Sequence, residues 1–325
     1  MLKVFRSIAY FVLLCIILNV LSFFVVKIQI LTPAEQLQLR QGKTFWPWNM
    51  HNGETADIHY TEKGTGSNHI VLIHGFRSNT FTWRHLEDPL AQAGFHVWSI
   101  DLLGYGFSDK PNVNYNFDLF TDQINAFIEN HDISKAHFIG NSMGGGLGLN
   151  LALRYPEKIH SLILISALGY PLDLPFHVLA SKYFSTLLGP FTGPSIIRSG
   201  LEQIVYQKDS VSDEQVHAYT IPYYLPGGFE ATLSTIKNFD NQQVAEISKR
   251  YSEIQCPLLI IWGEKDPLIP IDHFNQFRHD FPTAQTLLIA ECGHIPQEEK
   301  PEQTLNTILS FMHSLTPLTQ NYKSN

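Results

Sequence analysis

Short runs of valine, isoleucine and leucine recur along most of the chain, and segments of helical length separate them. Nearly continuous apolar runs are typical of strands that are buried on both faces of a parallel sheet. The predicted strands are ADIHYTE (56–62), HIVLIHG (69–75), HVWSID (96–101), AHFIG (136–140), SLILIS (161–166), CPLLIIWG (256–263) and QTLLIA (285–290). Strands that alternate with helices in this way predict an α/β protein with a doubly wound sheet.

Three of the intervening segments have the length and pattern of helices: 117–131, 143–155 and 301–314. The last begins with proline, which is favoured at the first position of a helix because its missing N–H would have no partner there. The aromatic segment TFWPWNM (44–50) predicts a further strand, and a place at a membrane interface is the alternative.

The interval 169–240 breaks this rhythm because it contains no good sheet strand. It holds six prolines with short apolar helical pieces between them, and it is too long for a simple loop. We therefore predict a helical lid at 169–240, inserted over the mouth of a sheet core formed by 56–168 and 241–315. Residues 31–55 are predicted to form a juxtamembrane connector and the first strand.

The N-terminal segment 8–30 is almost entirely apolar, and the 19 residues from Ile8 to Val26 carry no charge. At about 1.5 Å per residue, a helix of this length spans the hydrocarbon core of a bilayer. The run is long and lacks an A-x-A cleavage site, so we predict an uncleaved transmembrane anchor, with a cleaved signal peptide as the alternative. The short tail before it predicts a single-pass protein whose body, including any catalytic domain, lies on the non-cytoplasmic side.

Composition narrows the possible functions. Hydrophobic residues make up 44% of the chain and charged residues 16%, which excludes a disordered protein. The net charge of −8 and the lack of a basic run in the body of the chain argue against a nucleic-acid partner. Of the cysteines, Cys15, Cys256 and Cys292, none has zinc-ligand spacing. We expect the last two to be free thiols, with a bridge between them as the alternative, and we expect no metal and no cofactor.

The stretch GNSMG (140–144) fits the pattern G-x-S-x-G between a predicted strand and a predicted helix. In such a turn the nucleophile stands on a sharp bend, and its neighbours must lack a Cβ because the strand and the helix crowd them. The pattern predicts that Ser142 is a nucleophile at the carboxyl end of a central strand. A glycine-rich helix start that packs tightly on the sheet is the alternative.

A serine hydroxyl needs a base, and the base needs a carboxylate that orients it. Asp266 follows one predicted strand and His294 follows the next, so both are expected at the edge of the sheet where Ser142 lies. Taken singly, Asp266 fits a turn aspartate before proline, and His294 fits an ordinary loop histidine. The ordered triple favours catalysis, with Glu264 as the rival acid.

Backbone N–H groups are expected to bind the oxyanion of the tetrahedral intermediate. One is that of Met143, directly after the nucleophile, and the other is that of Phe76, in the loop after the strand HIVLIHG. His74, two residues before Phe76, is expected to be a structural hydrogen-bonding residue.

Five segments carry a resemblance: HGF (74–76), DLLGYGFSDKP (101–111), GNSMGG (140–145), WGEKD (262–266) and CGH (292–294). In this order, over residues 56–315, the chain resembles the α/β-hydrolase superfamily. The resemblance implies the α/β-hydrolase fold, a mostly parallel eight-stranded sheet flanked by helices with an inserted helical lid. It also implies a triad of Ser142, Asp266 and His294, and a structural role for the loop 101–111.

The residue type at the nucleophile position differs between the activities of this superfamily. A serine at position 142 argues against epoxide hydrolases and haloalkane dehalogenases, which carry aspartate there. The stretch GNSMGG is similar to membrane-anchored monoacylglycerol-lipase-like hydrolases and to carbon–carbon bond hydrolases of aromatic-ring degradation, although the second group typically has tryptophan where this chain has Ile295. We therefore expect a membrane-anchored serine hydrolase that cleaves apolar or lipid-like esters. The alternatives are a carbon–carbon bond hydrolase of the meta-cleavage-product type and a non-catalytic, ligand-binding member.

Overall fold

The computed structural model describes residues 31–172 and 193–315. Its strands are β1 (Thr44–Asn49), β2 (Thr55–Lys63), β3 (Asn68–Ile73), β4 (Phe95–Ile100), β5 (Ala136–Asn141), β6 (Ile159–Ile165), β7 (Leu258–Gly263) and β8 (Gln285–Ile289). They form one eight-stranded sheet in the order β1-β2-β4-β3-β5-β6-β7-β8. The pairs β1–β2 and β2–β4 are antiparallel, and the other neighbouring pairs are parallel. The predicted fold class is confirmed, because a mostly parallel sheet with helices on its faces is the architecture expected.

Helices connect the strands and cover the sheet. They are α1 (Pro33–Arg40), α2 (Glu87–Gln92), α3 (Phe117–Asn130), α4 (Met143–Arg154), α5 (Pro194–Ile204), α6 (Asp213–Tyr224), α7 (Gly228–Lys237), α8 (Asn241–Ser248), α9 (Ile271–Asp280), α10 (Pro296–Glu299) and α11 (Pro301–Leu315). The predicted helices at 117–131, 143–155 and 301–314 match α3, α4 and α11 to within one residue at each end. Helical length and pattern were therefore sufficient signals for these three, with a proline start as a further signal for α11.

Strand β3 shows why the apolar runs are continuous. Its residues Ile70 and Leu72 pack on one face of the sheet, in a cluster with side chains of α2 and α11. Val71 and Ile73 face the other way, in a cluster with side chains of α3 and α4. All four side chains are fully buried. Helices cover both faces of the sheet here, so the four buried positions of this strand, 70–73, are all apolar.

The predicted connector contains the helix α1, which the hydrophobic pattern did not reveal. Its start is a capping box in which the Thr32 hydroxyl accepts from the N–H of Glu35, while the Glu35 carboxylate accepts from the N–H of Thr32 at 2.8 Å. At the other end, Arg40 binds Asp57 at 2.8 Å and Asp109 at 3.0 Å. These ion pairs fix the helix against the body of the protein. Strand β1, just after it, confirms the strand expected at 44–50.

Between β6 and β7, the described residues contain helices and no strand, as the pattern of this interval predicts. Two of these helices, α5 and α6, share an apolar cluster in which Leu201, Val216 and Tyr219 pack with Ile295, a residue that follows β8. This contact holds the inserted helices over the carboxyl end of the sheet. Residues 173–192 of the predicted lid lie outside the described residues, and the lid boundaries remain a prediction.

The predicted membrane anchor at 8–30 lies outside the described residues. Within 31–172 and 193–315, no helix is both long and apolar enough to cross a membrane. The longest, α11, has 15 residues, or about 22 Å at 1.5 Å per residue, against a hydrocarbon core of about 30 Å. The predicted localisation, a single-pass anchor with the catalytic domain on the non-cytoplasmic side, is contradicted by this finding and is corrected here.

Candidate active site

Ser142 occupies the sharp turn between β5 and α4. Its backbone has φ 55° and ψ −119°, a region that non-glycine residues rarely adopt. Hydrogen bonds hold this conformation: the N–H of Ser142 donates to the carbonyl of Ile165 at 3.0 Å, and its own carbonyl accepts from Leu168 at 2.9 Å. Because both partners follow or end the neighbouring strand β6, the sheet itself maintains the strain.

The glycines beside Ser142 are required by close approach. A Cβ on Gly140 would collide with the carbonyl oxygen of Gly144, and a Cβ on Gly144 would collide with the carbonyl oxygen of Ile73. A Cβ on Gly75 would lie 3.1 Å from the Cβ of Ser142. Strand β3, the turn and α4 therefore pack so closely that only glycine fits around the exposed hydroxyl.

His294 and Asp266 form a buried pair. The ring nitrogen Nδ1 of His294 lies 2.8 Å from Oδ2 of Asp266, and the two side chains are 5% and 1% exposed. The other carboxylate oxygen of Asp266 accepts from the N–H groups of Leu268 at 2.8 Å and Ile269 at 3.0 Å. The rival acid, Glu264, is 42% exposed and contacts only Lys265 among the described residues. The geometry therefore assigns the carboxylate partner of the ring to Asp266.

Ser142 and His294 line the same cavity, which has a volume of about 150 Å³. The hydrogen bond of Nδ1 to Asp266 leaves Nε2 as the ring nitrogen available to a hydroxyl. Ser142 Oγ and His294 Nε2 do not form a direct hydrogen bond in this structure. Hydrogen bonds between catalytic groups commonly shorten only when substrate is bound. The structure thus brings the predicted nucleophile, Ser142, and the predicted base, His294, to one cavity, with Asp266 bound to the far side of the ring.

The two residues expected to supply the oxyanion donors, Phe76 and Met143, both line this cavity. Their N–H groups donate to no acceptor among the described residues. Met143 is the first residue of α4, where backbone N–H groups have no partner within the helix and the helix dipole is positive. Both donors are therefore available to a negatively charged oxygen bound beside Ser142.

His74 is fully buried next to these donors and has a structural role in the loop. Its Nδ1 donates to the carbonyl of Gly75 at 2.7 Å, and its Nε2 accepts from the N–H of Leu102 at 3.0 Å. Burial lowers the pKa of His74, which favours this neutral form. Both ring nitrogens are occupied, so the ring joins the loops after β3 and β4 and does not reach the substrate.

The buried carboxylate of Asp101 anchors the loop 101–111 to its neighbours. Burial alone would raise the pKa of this carboxyl, but His59 at 2.7 Å and the N–H of Phe107 hold the pKa well below its usual range. A third donor is the N–H of Thr80 at 2.7 Å. The carboxylate thus ties together β2, the loop after β3 and the loop after β4, in agreement with the structural role expected for this segment.

Asn141 has a role that the sequence pattern did not reveal. Its side-chain amide donates to the carbonyl of Ile165 and to the carbonyl of His294, both at 3.1 Å. The residue before Ser142 thereby binds the backbone of His294. The signal was present in the motif, where a buried amide precedes the serine, but its partner lies 153 positions away in the chain.

The part of the chain that the structure describes contains neither a cluster of metal-ligating side chains nor an activated thiol. No group of three or more His, Cys, Asp or Glu side chains there could hold a metal ion. Cys256 and Cys292 are both free, so the alternative of a bridge between them is wrong. Burial raises the pKa of both thiols, that of Cys256 to about 11, so neither is poised to act as a nucleophile.

The family model for the alpha/beta hydrolase fold matches residues 68–188 and 201–301. A curated relative, the 2-hydroxy-6-oxononadienedioate/2-hydroxy-6-oxononatrienedioate hydrolase of Burkholderia vietnamiensis, is 27% identical over 271 residues, covering 81% of this chain and 93% of that protein.

Two solved structures are similar. The meta-cleavage product hydrolase from Pseudomonas fluorescens IP01 has a TM-score of 0.71 at 25% identity, covering 80% of this chain and 96% of that one. A membrane phospholipase A has a TM-score of 0.65 at 23% identity, covering 97% of this chain and 99% of that one. At this identity the second likeness shows the shared fold alone.

Proposed function

We propose, from the premise that the chain belongs to the α/β-hydrolase family, that it hydrolyses a carbonyl substrate through Ser142, His294 and Asp266. Support comes from the pairing of His294 with Asp266 at 2.8 Å and from the cavity that the ring shares with Ser142. Hydrolase activity is also the activity named for the curated relatives of known function.

The proposed reaction begins when Nε2 of His294 takes the proton of Ser142 as its oxygen attacks the carbonyl carbon. Asp266 keeps the ring proton on Nδ1, so that Nε2 is the basic atom, and stabilises the imidazolium that forms. The N–H groups of Phe76 and Met143 bind the negative oxygen of the tetrahedral intermediate. His294 then protonates the leaving group, and water, deprotonated by the same ring, releases the acid from Ser142.

The proposed substrate is an ester with an apolar, uncharged acyl group. The cavity that carries this proposal is lined largely by apolar side chains, among them Leu172, Ile236 and Phe239, and no lysine or arginine is among its described lining residues. Its polar wall groups already have partners: Thr235 Oγ1 accepts from the Tyr105 hydroxyl at 2.7 Å and donates to a carbonyl at 2.9 Å. Such a wall offers little to a charged or hydroxylated acyl group.

A second candidate is carbon–carbon bond hydrolysis of the meta-cleavage-product type. The comparisons favour this candidate over ester cleavage, since the relatives with a named activity are hydrolases of 2-hydroxy-6-oxononadienedioate. Asn141 before the nucleophile points the same way, whereas Ile295 after the base and the lack of a described cationic wall residue favour a neutral ester. The two candidates share Ser142 and differ in the substrate that the cavity accepts.

One experiment separates these candidates. The purified full chain and its Ser142→Ala variant are assayed on p-nitrophenyl esters of increasing acyl length and on a 2-hydroxy-6-oxo-dienoate. The ester proposal expects a larger kcat/KM on the esters, lost by about 10⁴-fold or more in the variant. Faster turnover of the dienoate moves the assignment to the second candidate. Ester hydrolysis that persists unchanged in Ser142→Ala contradicts the mechanism itself.

A fluorophosphonate probe tests the non-catalytic alternative. This reagent reacts with an activated serine whatever the natural substrate is. The proposed function expects labelling of the full chain and no labelling of Ser142→Ala. Absence of labelling in both proteins, with the fold intact by circular dichroism, supports a member that only binds its ligand.

A further inference from the structure

Three consecutive residues, Gly293, His294 and Ile295, carry the proposed base, and the N–H group of each is bound. The N–H of His294 donates to the carbonyl of Ile204, at the end of α5, at 2.8 Å. The carbonyl of His294 accepts from the side chain of Asn141. The N–H groups on either side of His294, those of Gly293 and Ile295, both donate to a single carboxylate, that of Glu299.

Glu299 is the last residue of the short helix α10, and its carboxylate turns back toward the strand end. Its two oxygens both lie 3.0 Å from the N–H of Gly293, and Oε1 lies 3.3 Å from that of Ile295. Oε2 also accepts from the N–H of Tyr206 at 2.7 Å, in the segment that follows α5. One carboxylate therefore joins the loop of the base, the inserted helices and α10.

We propose that Glu299 is a positioning residue for the reaction: its carboxylate fixes the backbone on both sides of His294 and so holds the imidazole between Asp266 and Ser142. This inference rests on the proposed function, in which His294 is the base. It assigns to Glu299 no contact with the substrate, and Glu299 is absent from the lining of the cavity as described. Its effect is transmitted through the loop alone.

The chemistry of the site requires a carboxylate. An ionised carboxylate offers two oxygens and only acceptors, which suits three converging N–H donors. A glutamine in the same place would keep one oxygen and direct an NH₂ group at one of those donors. Burial raises the pKa of Glu299 above its ordinary value, and the N–H groups of Tyr206, Gly293 and Ile295 offset part of this rise because they favour the ionised carboxylate.

The adjacent residue, Glu298, provides the matched control. Its carboxylate is 2% exposed and binds Arg84 and Thr82 of the core, together with Gln215 and Tyr219 of the helix α6. Its carboxylate makes no hydrogen bond to the loop 293–295 among the described residues, although the backbone N–H of Glu298 donates to the carbonyl of Ile295 at 2.8 Å. Both carboxylates lie on the same short helix, and they differ in what they bind: that of Glu299 binds the loop that carries His294, and that of Glu298 binds a wall of the cavity through Tyr219.

The test compares Glu299→Gln and Glu298→Gln with an exposed control, Glu302→Gln, in the full chain. Displacement of a catalytic group by about 1 Å costs on the order of 10²-fold in rate. Glu299→Gln should therefore lower kcat by about 10- to 100-fold and leave KM within about threefold. Glu302→Gln should match the unchanged chain. Glu298→Gln should act mainly on KM, because it loosens the cavity wall.

A double-variant comparison distinguishes positioning from general loosening. If Glu299 acts only through His294, then adding Glu299→Gln to His294→Ala leaves the residual rate unchanged within about twofold. A further tenfold loss in the double variant overturns the proposal, as does an equal loss of kcat in Glu298→Gln. The rate of labelling by a fluorophosphonate, counted per reactive site, should fall with kcat in Glu299→Gln. This measurement reads only the folded fraction, so partial unfolding of the variant does not obscure it.

Failure of this inference differs from failure of the proposed function. If Ser142→Ala and His294→Ala abolish turnover while Glu299→Gln keeps full kcat, only the positioning role is wrong. If Ser142→Ala keeps turnover, the proposed function is wrong, whatever Glu299 does.

Discussion

Replacing Asp266 by asparagine should stop turnover while leaving the fold in place. In the protein, the two oxygens of Asp266 have different partners: Oδ2 faces Nδ1 of His294 at 2.8 Å, and Oδ1 accepts from the N–H groups of Leu268 and Ile269. These two donors fix the orientation of an asparagine amide, because its NH₂ group cannot face them. The amide oxygen must stay at the Oδ1 position, and the NH₂ group must then face His294.

This orientation forces the wrong tautomer on the ring. With an NH₂ donor opposite, Nδ1 must accept, so the proton moves to Nε2, which faces the cavity and can no longer take the proton of Ser142. A comparable loss of the productive tautomer in serine proteases costs about 10⁴-fold in kcat, which corresponds to about 5.5 kcal/mol of transition-state stabilisation at about 1.4 kcal/mol per tenfold. We expect a loss of this size in Asp266→Asn.

Stability should respond differently from activity. Asp266→Asn keeps the acceptor for the two N–H groups, whereas Asp266→Ala leaves the N–H of buried Ile269 without a partner, at about 1–3 kcal/mol. The alanine variant should therefore unfold at a lower urea concentration than the asparagine variant, although both lose kcat. The assay is ester turnover together with urea unfolding, with Glu264→Gln as the control. More than a tenth of the original kcat in Asp266→Asn, or an equal loss in Glu264→Gln, would refute the tautomer reasoning.

The remaining predictions concern the turn, the inserted helices and the loop of Asp101. Gly144→Ala should abolish fluorophosphonate labelling and lower the melting temperature, because its Cβ collides with the carbonyl of Ile73. Gly200→Ala should instead raise the free energy of unfolding by about 0.5–1 kcal/mol without changing kcat, because this exposed position within α5 has open space around it; a lower stability in urea unfolding contradicts this. Asp101→Asn should cost about 3–5 kcal/mol at neutral pH, since it leaves His59 without its buried partner. The folded-state pKa of Asp101 is depressed, so its stabilising contribution is present above the unfolded pKa of about 4 and is lost as the pH falls below it. The gap between Asp101→Asn and the unchanged chain should therefore narrow at low pH in urea unfolding, and a gap independent of pH contradicts the charge argument.

Local sequence patterns were sufficient to locate most strands and to identify the residues that meet at the candidate site. The continuous apolar runs located seven strands, and the rule that parallel strands end at one edge placed Asp266 and His294 beside Ser142. The antiparallel position of β2 next to β4 could not be read from the sequence, because strand order depends on pairings between distant segments. The catalytic roles of Ser142, Asp266 and His294, and of the N–H groups of Phe76 and Met143, stay predictions until turnover is measured.

Contacts between distant polar side chains were beyond the reach of sequence patterns. Glu298 binds Arg84 across 214 positions, and neither residue belongs to a motif. Glu299 escaped notice because an acidic residue at the end of a short helix has many ordinary uses, and only its three N–H partners distinguish it. The predicted membrane location was wrong for a different reason. It rested only on the length and polarity of an apolar run, and no helix among the described residues is long and apolar enough to cross a membrane.

The inserted segment between β6 and β7 separates the members of the proposed triad along the chain. Ser142 lies before the insertion, whereas Asp266 and His294 lie after it, in the loops that follow β7 and β8. Under the proposed function, a chain that ends before β7 has neither the base nor the carboxylate that would activate Ser142. We therefore expect no hydrolysis until β7 and β8 have joined the sheet.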